Sequence, residues 1–150
     1  DDLQEVDQPS GACLLVRRDA IDEVDLMDET FFMYWEDVDW CYRIKQANWK
    51  IYYTPAVEII HLGGQSSQKA RSDMLIARQK SQYHFFQKHH GHFSTQVLRL
   101  MTLLEMLGKF VLWAFTFFFK NNRRMETKER LATYREIFRL SLFDRNYVGI

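Results

Sequence analysis

A chain of 150 residues is long enough for one ordinary domain, and a composition 47% apolar and 15% aromatic excludes wholesale disorder. Twenty Lys plus Arg balance twenty Asp plus Glu, so a formal net charge of zero gives no electrostatic case for nucleic acid as a partner. Two cysteines, Cys13 and Cys41, are too few for a disulfide scaffold or a thiolate zinc site; both read as small buried apolar residues, with a mild preference for a reducing compartment.

The opening DDLQEVDQ is acidic and polar, has no initiator Met and no signal peptide, and reads as the cut edge of a longer protein. Residues 1–10 end in a linker at Pro9-Ser10. GACLLVRR, residues 11–18, reads as a short buried strand. DAIDEVDLMDE predicts one or two helical turns and a loop. Phe31 to Tyr34 is either extended or the lead-in to a helix.

From Glu36 the apolar period becomes three and four, with Val38, Cys41 and Ile44 on one stripe. Glu36, Asp37 and Asp39 crowd the first turn of this helix, where free N–H groups favour carboxylates. Ala47-Asn48-Trp49 ends it. KIYYTP, 50–55, is a strand stopped by Pro55, and VEIIHL, 57–62, is another broken by Gly63-Gly64. QSSQ is a loop and a candidate helix cap. A long helix spans 69–90 and ends at Gly91. Helix resumes from about Thr95 to Phe119, a polar junction follows at 121–124, and a charged amphipathic helix covers 126–140.

Two strand–helix alternations cannot close a doubly wound sheet, but they look like the last portion of one. The expected architecture is therefore α/β over residues 1–66, followed by a mainly helical region over 67–150.

The order GACLLVRR, FFMYWEDVDWCYRI, ANWKIYYTP, HLGG resembles the C-terminal, acceptor-side portion of family 2 glycosyltransferases, closest in pattern to their rhamnosyltransferase-like and galactofuranosyltransferase-like members. The likeness covers about residues 9–90. It implies a GT-A, Rossmann-like fold, a nucleoside-diphosphate sugar donor, and inverting transfer to a hydroxyl of a polysaccharide or lipid-linked glycan acceptor. It also implies a divalent metal, Mg2+ or Mn2+, in the full-length enzyme. Carried onto this sequence, Asp37 of Glu36-Asp37 is the general base. Gly11 and Ala12 line the cleft, and His61 before Gly63 and Gly64 completes a metal site. The pattern departs in one respect: no Asp-x-Asp motif precedes residue 11, and Asp37-Val38-Asp39 holds the acceptor-side position. The donor-binding half is expected outside this chain, which alone is expected to be inactive and to hold no tightly bound metal.

Each residue has a bland reading beside the functional one. Asp37 is a base within reach of an acceptor hydroxyl, or merely a charge at a helix start. Glu36 either hydrogen-bonds acceptor hydroxyls or is a solvated first-turn acid. Trp35, beside Asp37, stacks on a sugar ring or packs; Trp40 packs. Asp39 pairs with Arg43 one turn on, as a surface contact of a few tenths of a kcal/mol. His61 is a metal ligand or a structural histidine; Gly63 and Gly64 would let backbone approach a diphosphate. His84, His89, His90 and His92 match no established zinc spacing. Arg78, Lys80 and Lys88 approach a pyrophosphate or a phospholipid-linked acceptor or, as the preferred reading for most of them, form a solvated helix face.

FVLWAFTFFF, 110–119, is ten residues without a charge, half of what a bilayer span requires. Residues 97–124 are read first as a helix lying on the membrane surface, with Lys120, Arg123 and Arg124 toward anionic headgroups; a spanning helix and a core or homo-oligomer helix are the alternatives. With the resemblance, this places the protein on the cytoplasmic face of the cell membrane. Two competing functions remain: a non-catalytic membrane-associated assembly module, and a carbohydrate-binding module built on Trp35 and neighbouring aromatics.

Overall fold

The structure, a computed structural model, describes residues 2–61, 71–119 and 124–143. The elements in chain order are β1 (Gln4–Glu5), α1 (Arg18–Val24), α2 (Glu36–Gln46), β2 (Tyr52–Tyr53), α3 (Arg71–Phe119) and α4 (Arg124–Phe143). Helix dominates. The α/β, Rossmann-like expectation is overturned: among the described residues the sheet is two strands, β1 antiparallel to β2, with Gln4 opposite Tyr53 and Glu5 opposite Tyr52. A strand needs a neighbour to take its backbone groups, and a doubly wound sheet buries its strands on both faces. Residues 11–17 have no such neighbour, and Leu15 is fully exposed. The run 57–60 also stays out of any ladder, with Val57 and Ile60 in solvent.

The helices form where the periodicity places them. The helix α2 ends because Asn48 takes a left-handed conformation (φ 62°), a common device just past a helix end. The Ala47, Asn48 and Trp49 N–H groups then return to the carbonyls of Arg43, Lys45 and Ile44.

The long element α3 is two arms, 71–90 and 92–119, joined at Gly91. Gln79 reaches Thr102, and the Arg99 guanidinium lies 5.8 Å from the centre of the Tyr83 ring, so the arms run antiparallel. Helix α4 packs along both: the Tyr83 hydroxyl bonds Ser141 at 2.7 Å, and Lys109 sits over Tyr134. On the first arm, the face carrying Ser81, His84, Phe85 and Lys88 meets the 28–35 segment and α2, whereas Gln79 and Tyr83 point the opposite way, to the second arm. The first arm is thus a layer between α2 and the second arm.

Gly91 makes the reversal with φ 76° and ψ −179°, a region open essentially to glycine alone. An added Cβ would meet nothing within 4 Å, so the cost of Gly91→Ala is backbone strain and not a clash. The expected loss is about 1–3 kcal/mol in urea unfolding. Gly108 lies within a helical arm and also faces open space, and Gly108→Ala is expected to shift stability the other way by about 0.5–1 kcal/mol.

Candidate active site

The start of α2 is built from an unusual backbone. Tyr34 and Trp35 both hold positive φ, 65° and 70°, immediately before the first helical residue. Two consecutive non-glycine residues in this region are costly and persist only where surrounding packing fixes them. The packing is visible: the Trp35 ring lies 5.1 Å from Phe85 and 6.2 Å from Phe86, both on the first arm of α3. Ser81 donates to the Met33 carbonyl at 2.9 Å.

This turn presents Asp37, which is partly buried. Its Oδ2 accepts from the Gly11 N–H at 3.0 Å and from the Gln8 side-chain amide at 3.2 Å. Its Oδ1 accepts from the Val38 N–H at 2.8 Å. An ionised carboxylate offers about four acceptor positions, so the three bonds orient the group and leave room for one further hydroxyl. Gly11 is required by contact: a Cβ there would stand 2.8 Å from Asp37 Oδ2 and 3.0 Å from its Cβ. Gly11→Ala must therefore displace either the 8–11 segment or the carboxylate. On the expectation that Asp37 is the general base, displacing it by roughly an ångström costs up to about 100-fold, and kcat of the full-length protein would then fall by about 10- to 100-fold. A melting temperature within about 2 °C of wild type would identify the loss as local.

The other residues singled out from sequence are dispersed. Glu36 is partly buried, and its Oε2 is a buried oxygen with no partner among the described residues. Ala12 is exposed, and its N–H reaches Ser10 Oγ at 3.4 Å. His61 is exposed. Gly63 and Gly64 lie outside the described residues. Trp40 is buried, with Nε1 donating to the Asp25 carbonyl at 2.8 Å. Cys41 is buried one turn from Asp37; burial first, and the Asp37 charge second, push its thiol up. Cys13, expected to be buried, is exposed because the segment around it forms no strand.

Behind Asp37 lies a charge network that the sequence reading placed on the surface. Asp39 does bond Arg43 at 2.8 Å, but it is 0% exposed. Docking of α3 supplies the rest: Lys88 Nζ at 2.8 Å and His89 Nε2 at 2.6 Å, both on Asp39 Oδ1. Lys88 also reaches Asp28 at 2.7 Å, and Arg43 caps the Val24 and Leu26 carbonyls. Burial alone would raise the Asp39 carboxyl, but hydrogen bonds from Lys88, His89 and Arg43 hold it below the usual carboxylate range. At Asp28 burial likewise raises, and bonds from Lys88 and Thr30 outweigh it and hold the carboxyl far down. His84, bonded to Thr30 Oγ1 at 2.8 Å, is pushed down mainly by burial.

All three shifts are depressions, so the unfolded chain binds more protons and stability falls on acidification. The His84 contribution is lost as pH drops below roughly 6.5, and those of Asp28 and Asp39 as it drops below roughly 4. Urea midpoints measured against pH should follow this two-stage decline, and His84→Gln should flatten the upper stage. An upper stage unchanged in that variant would contradict the assignment.

A pocket of about 490 Å³ opens beside this network, lined by Val24 to Glu29, Arg43 and Lys88. Of its charged lining residues, Lys88 pairs with Asp28, and both Lys88 and Arg43 pair with Asp39. Among the described residues no three His, Cys, Asp or Glu side chains converge on a point that would hold a metal ion. His61 is exposed, with no second ligand beside it among the described residues, and no step below runs through a metal.

Comparison with known proteins agrees with the motif order. Residues 2–112 match the family described as glycosyltransferase like family 2. An N-acetylglucosaminyl-diphospho-decaprenol L-rhamnosyltransferase of Mycobacterium tuberculosis is 42% identical over 82 residues, which is 55% of this chain and 27% of that protein. The rhamnosyltransferase WbbL of Escherichia coli is 39% identical over 56 residues, 37% of this chain and 21% of its own length. A low-salt glycan biosynthesis hexosyltransferase of Haloferax volcanii is 32% identical over 59 residues, 39% of this chain and 19% of its own. The chain thus spans about a quarter or less of the curated relatives it matches. No solved structure matches it significantly.

Proposed function

The chain belongs to the glycosyltransferase-like family 2, and from that premise we propose that it is the acceptor-side part of an inverting, nucleotide-sugar-dependent glycosyltransferase with Asp37 as general base. The observation that carries the reading is the seat of Asp37. A carboxylate at a helix start, oriented through Gly11, Gln8 and Val38, keeps an acceptor position to spare. In the proposed step the acceptor hydroxyl gives its proton to Asp37 as its oxygen bonds the anomeric carbon. The bond from that carbon to the donor's diphosphate breaks on the opposite face, and its electron pair leaves with the nucleoside diphosphate. Glu36, one residue away, has a buried Oε2 with no partner among the described residues, which supports a role in holding a second acceptor hydroxyl once the substrate reaches it.

The mycobacterial relative is named for an acceptor in which a sugar is joined through a diphosphate to a polyprenol. A lipid-linked glycan of that class is the proposed acceptor, and cell-envelope polysaccharide the proposed product. The test is transfer by the full-length enzyme from a nucleoside-diphosphate sugar to a polyprenyl-diphosphate-linked sugar, with the new anomeric centre read by NMR. Inversion is expected; retention of configuration would rule out single displacement by one base. A second reading has its own support: the three hydrogen bonds on Asp37 are also what a purely structural pin for the 8–11 segment would show, as in a non-catalytic assembly module.

A further inference from the structure

The second arm of α3 is amphipathic in the reverse sense. Toward the bundle it turns Thr95, Arg99, Thr102 and Met106, all buried and three of them polar. Thr95 and Thr102 satisfy their hydroxyls on the Gly91 and Leu98 carbonyls of their own helix. Away from the bundle it turns Phe93, Val97, Leu100, Leu104, Leu107 and Val111, each between 43% and 81% exposed. These positions recur every three or four residues, so they form one stripe on one side of the helix. The stripe is about 27 Å long, and no charged or hydrogen-bonding side chain interrupts it. It exceeds the scattered apolar exposure normal for a soluble surface.

Composition around the stripe selects the occupant. Interfaces between proteins keep a substantial polar share and a polar rim. Here the exposed polar flank is sparse, the His92–Gln96 and Glu105–Lys109 pairs, and Thr95, Arg99 and Thr102 face the bundle. The charges that follow are of one sign: between Glu105 and Glu126 stand Lys109, Lys120, Arg123 and Arg124, with no acid. Glu105 is itself paired with Lys109. An apolar face continued by a cationic segment suits a bilayer interface carrying anionic headgroups. Among the described residues no helix is long and apolar enough to cross a membrane, so the mode is lateral contact by this face. We infer that the Phe93–Val111 stripe seats the protein on an anionic membrane surface. The first arm lies between this face and α2, which puts Asp37 about two helix layers, roughly 20 Å, above the lipid. That is a height suited to the sugar end of a membrane-held acceptor and not to its lipid end.

The test is co-sedimentation of the full-length protein with vesicles of phosphatidylcholine alone and of phosphatidylcholine mixed with phosphatidylglycerol. Binding is expected to the mixed vesicles, weaker to the neutral ones, and reduced by salt. The double variant Leu104→Glu, Leu107→Glu changes only exposed positions and is expected to weaken binding to mixed vesicles by tenfold or more with an unchanged circular dichroism spectrum. Asp37→Asn should bind vesicles like wild type, so failure here and failure of the catalytic reading are told apart. A wild-type protein that ignores mixed vesicles overturns the inference. In that case, a dimer that the double variant dissociates would assign the stripe to a second copy, and a monomer would assign it to the remainder of the polypeptide.

Discussion

Asp37→Asn in the full-length enzyme is expected to lower kcat by about 10²- to 10⁴-fold, the range for loss of a positioned general base. The substitution keeps size and shape. With its oxygen at the Oδ2 position, Asn still accepts from the Gly11 N–H and from Gln8, and its amide nitrogen at the Oδ1 position can no longer accept from the Val38 N–H. The structural cost is therefore on the order of one ordinary hydrogen bond, about 1 kcal/mol, and the protein should remain folded. A base acts only as the proton moves, so kcat and kcat/KM should fall together while KM for the donor stays put. Gln8→Ala is the companion variant: it removes one bond to Oδ2 and leaves the carboxylate, so a small change in kcat is expected. Full activity in Asp37→Asn would transfer the role of this residue to the structural reading. Equal losses in Asp37→Asn and Gln8→Ala would mean that orientation of the 8–11 segment, and not proton transfer, is what the site requires.

The features legible in the sequence are those written locally. The helix from Glu36 declares itself through Val38, Cys41 and Ile44 and stops where Asn48 turns left-handed. Gly91 breaks α3 at the position its neighbours suggest, because glycine alone tolerates that φ and ψ. What was not legible depends on partners distant in the chain. Leu14 to Val16 has strand composition, but composition does not supply a neighbouring strand, and the segment stays outside any sheet. Cys13 is exposed for the same reason. Asp39 and Arg43 announce a one-turn pair, but burial comes from Lys88 and His89, forty-nine and fifty residues away, brought in by helix docking. The second arm shows the limit in another form: its apolar period is plain, yet only the structure shows that Thr95, Arg99 and Thr102 face inward and the leucines outward.

The largest stability effect is expected at Asp39. Asp39→Ala would leave Lys88, His89 and Arg43, each with its side chain mostly out of solvent, around an apolar methyl at a position with no exposure of its own. Breaking one side of a buried charge network costs about 3–5 kcal/mol, because the remaining charges keep their desolvation penalty and lose their partner. Two of the three partners have an alternative. Arg43 retains the Val24 and Leu26 carbonyls, and Lys88 retains Asp28 at 2.7 Å. His89 has a hydrogen bond to Asp39 at 2.6 Å and otherwise aromatic contacts with Tyr42 and Phe85. Asp39→Asn keeps a carbonyl acceptor and should cost less than Asp39→Ala. Lys88→Met in the Asp39→Ala background should recover part of the loss, since it removes a charge stranded by the first change. The cycle of single and double variants, read as urea midpoints at pH 7, therefore carries a sign: the double variant is expected to be more stable than the sum of the singles predicts. Additive losses would mean that Asp39 and Lys88 act independently and that helix docking rests on the Tyr42, Phe85 and Trp35 rings instead. If Asp39→Ala costs less than about 1 kcal/mol, the carboxylate is not the joint between α2 and α3, because that is the range of an exposed ion pair.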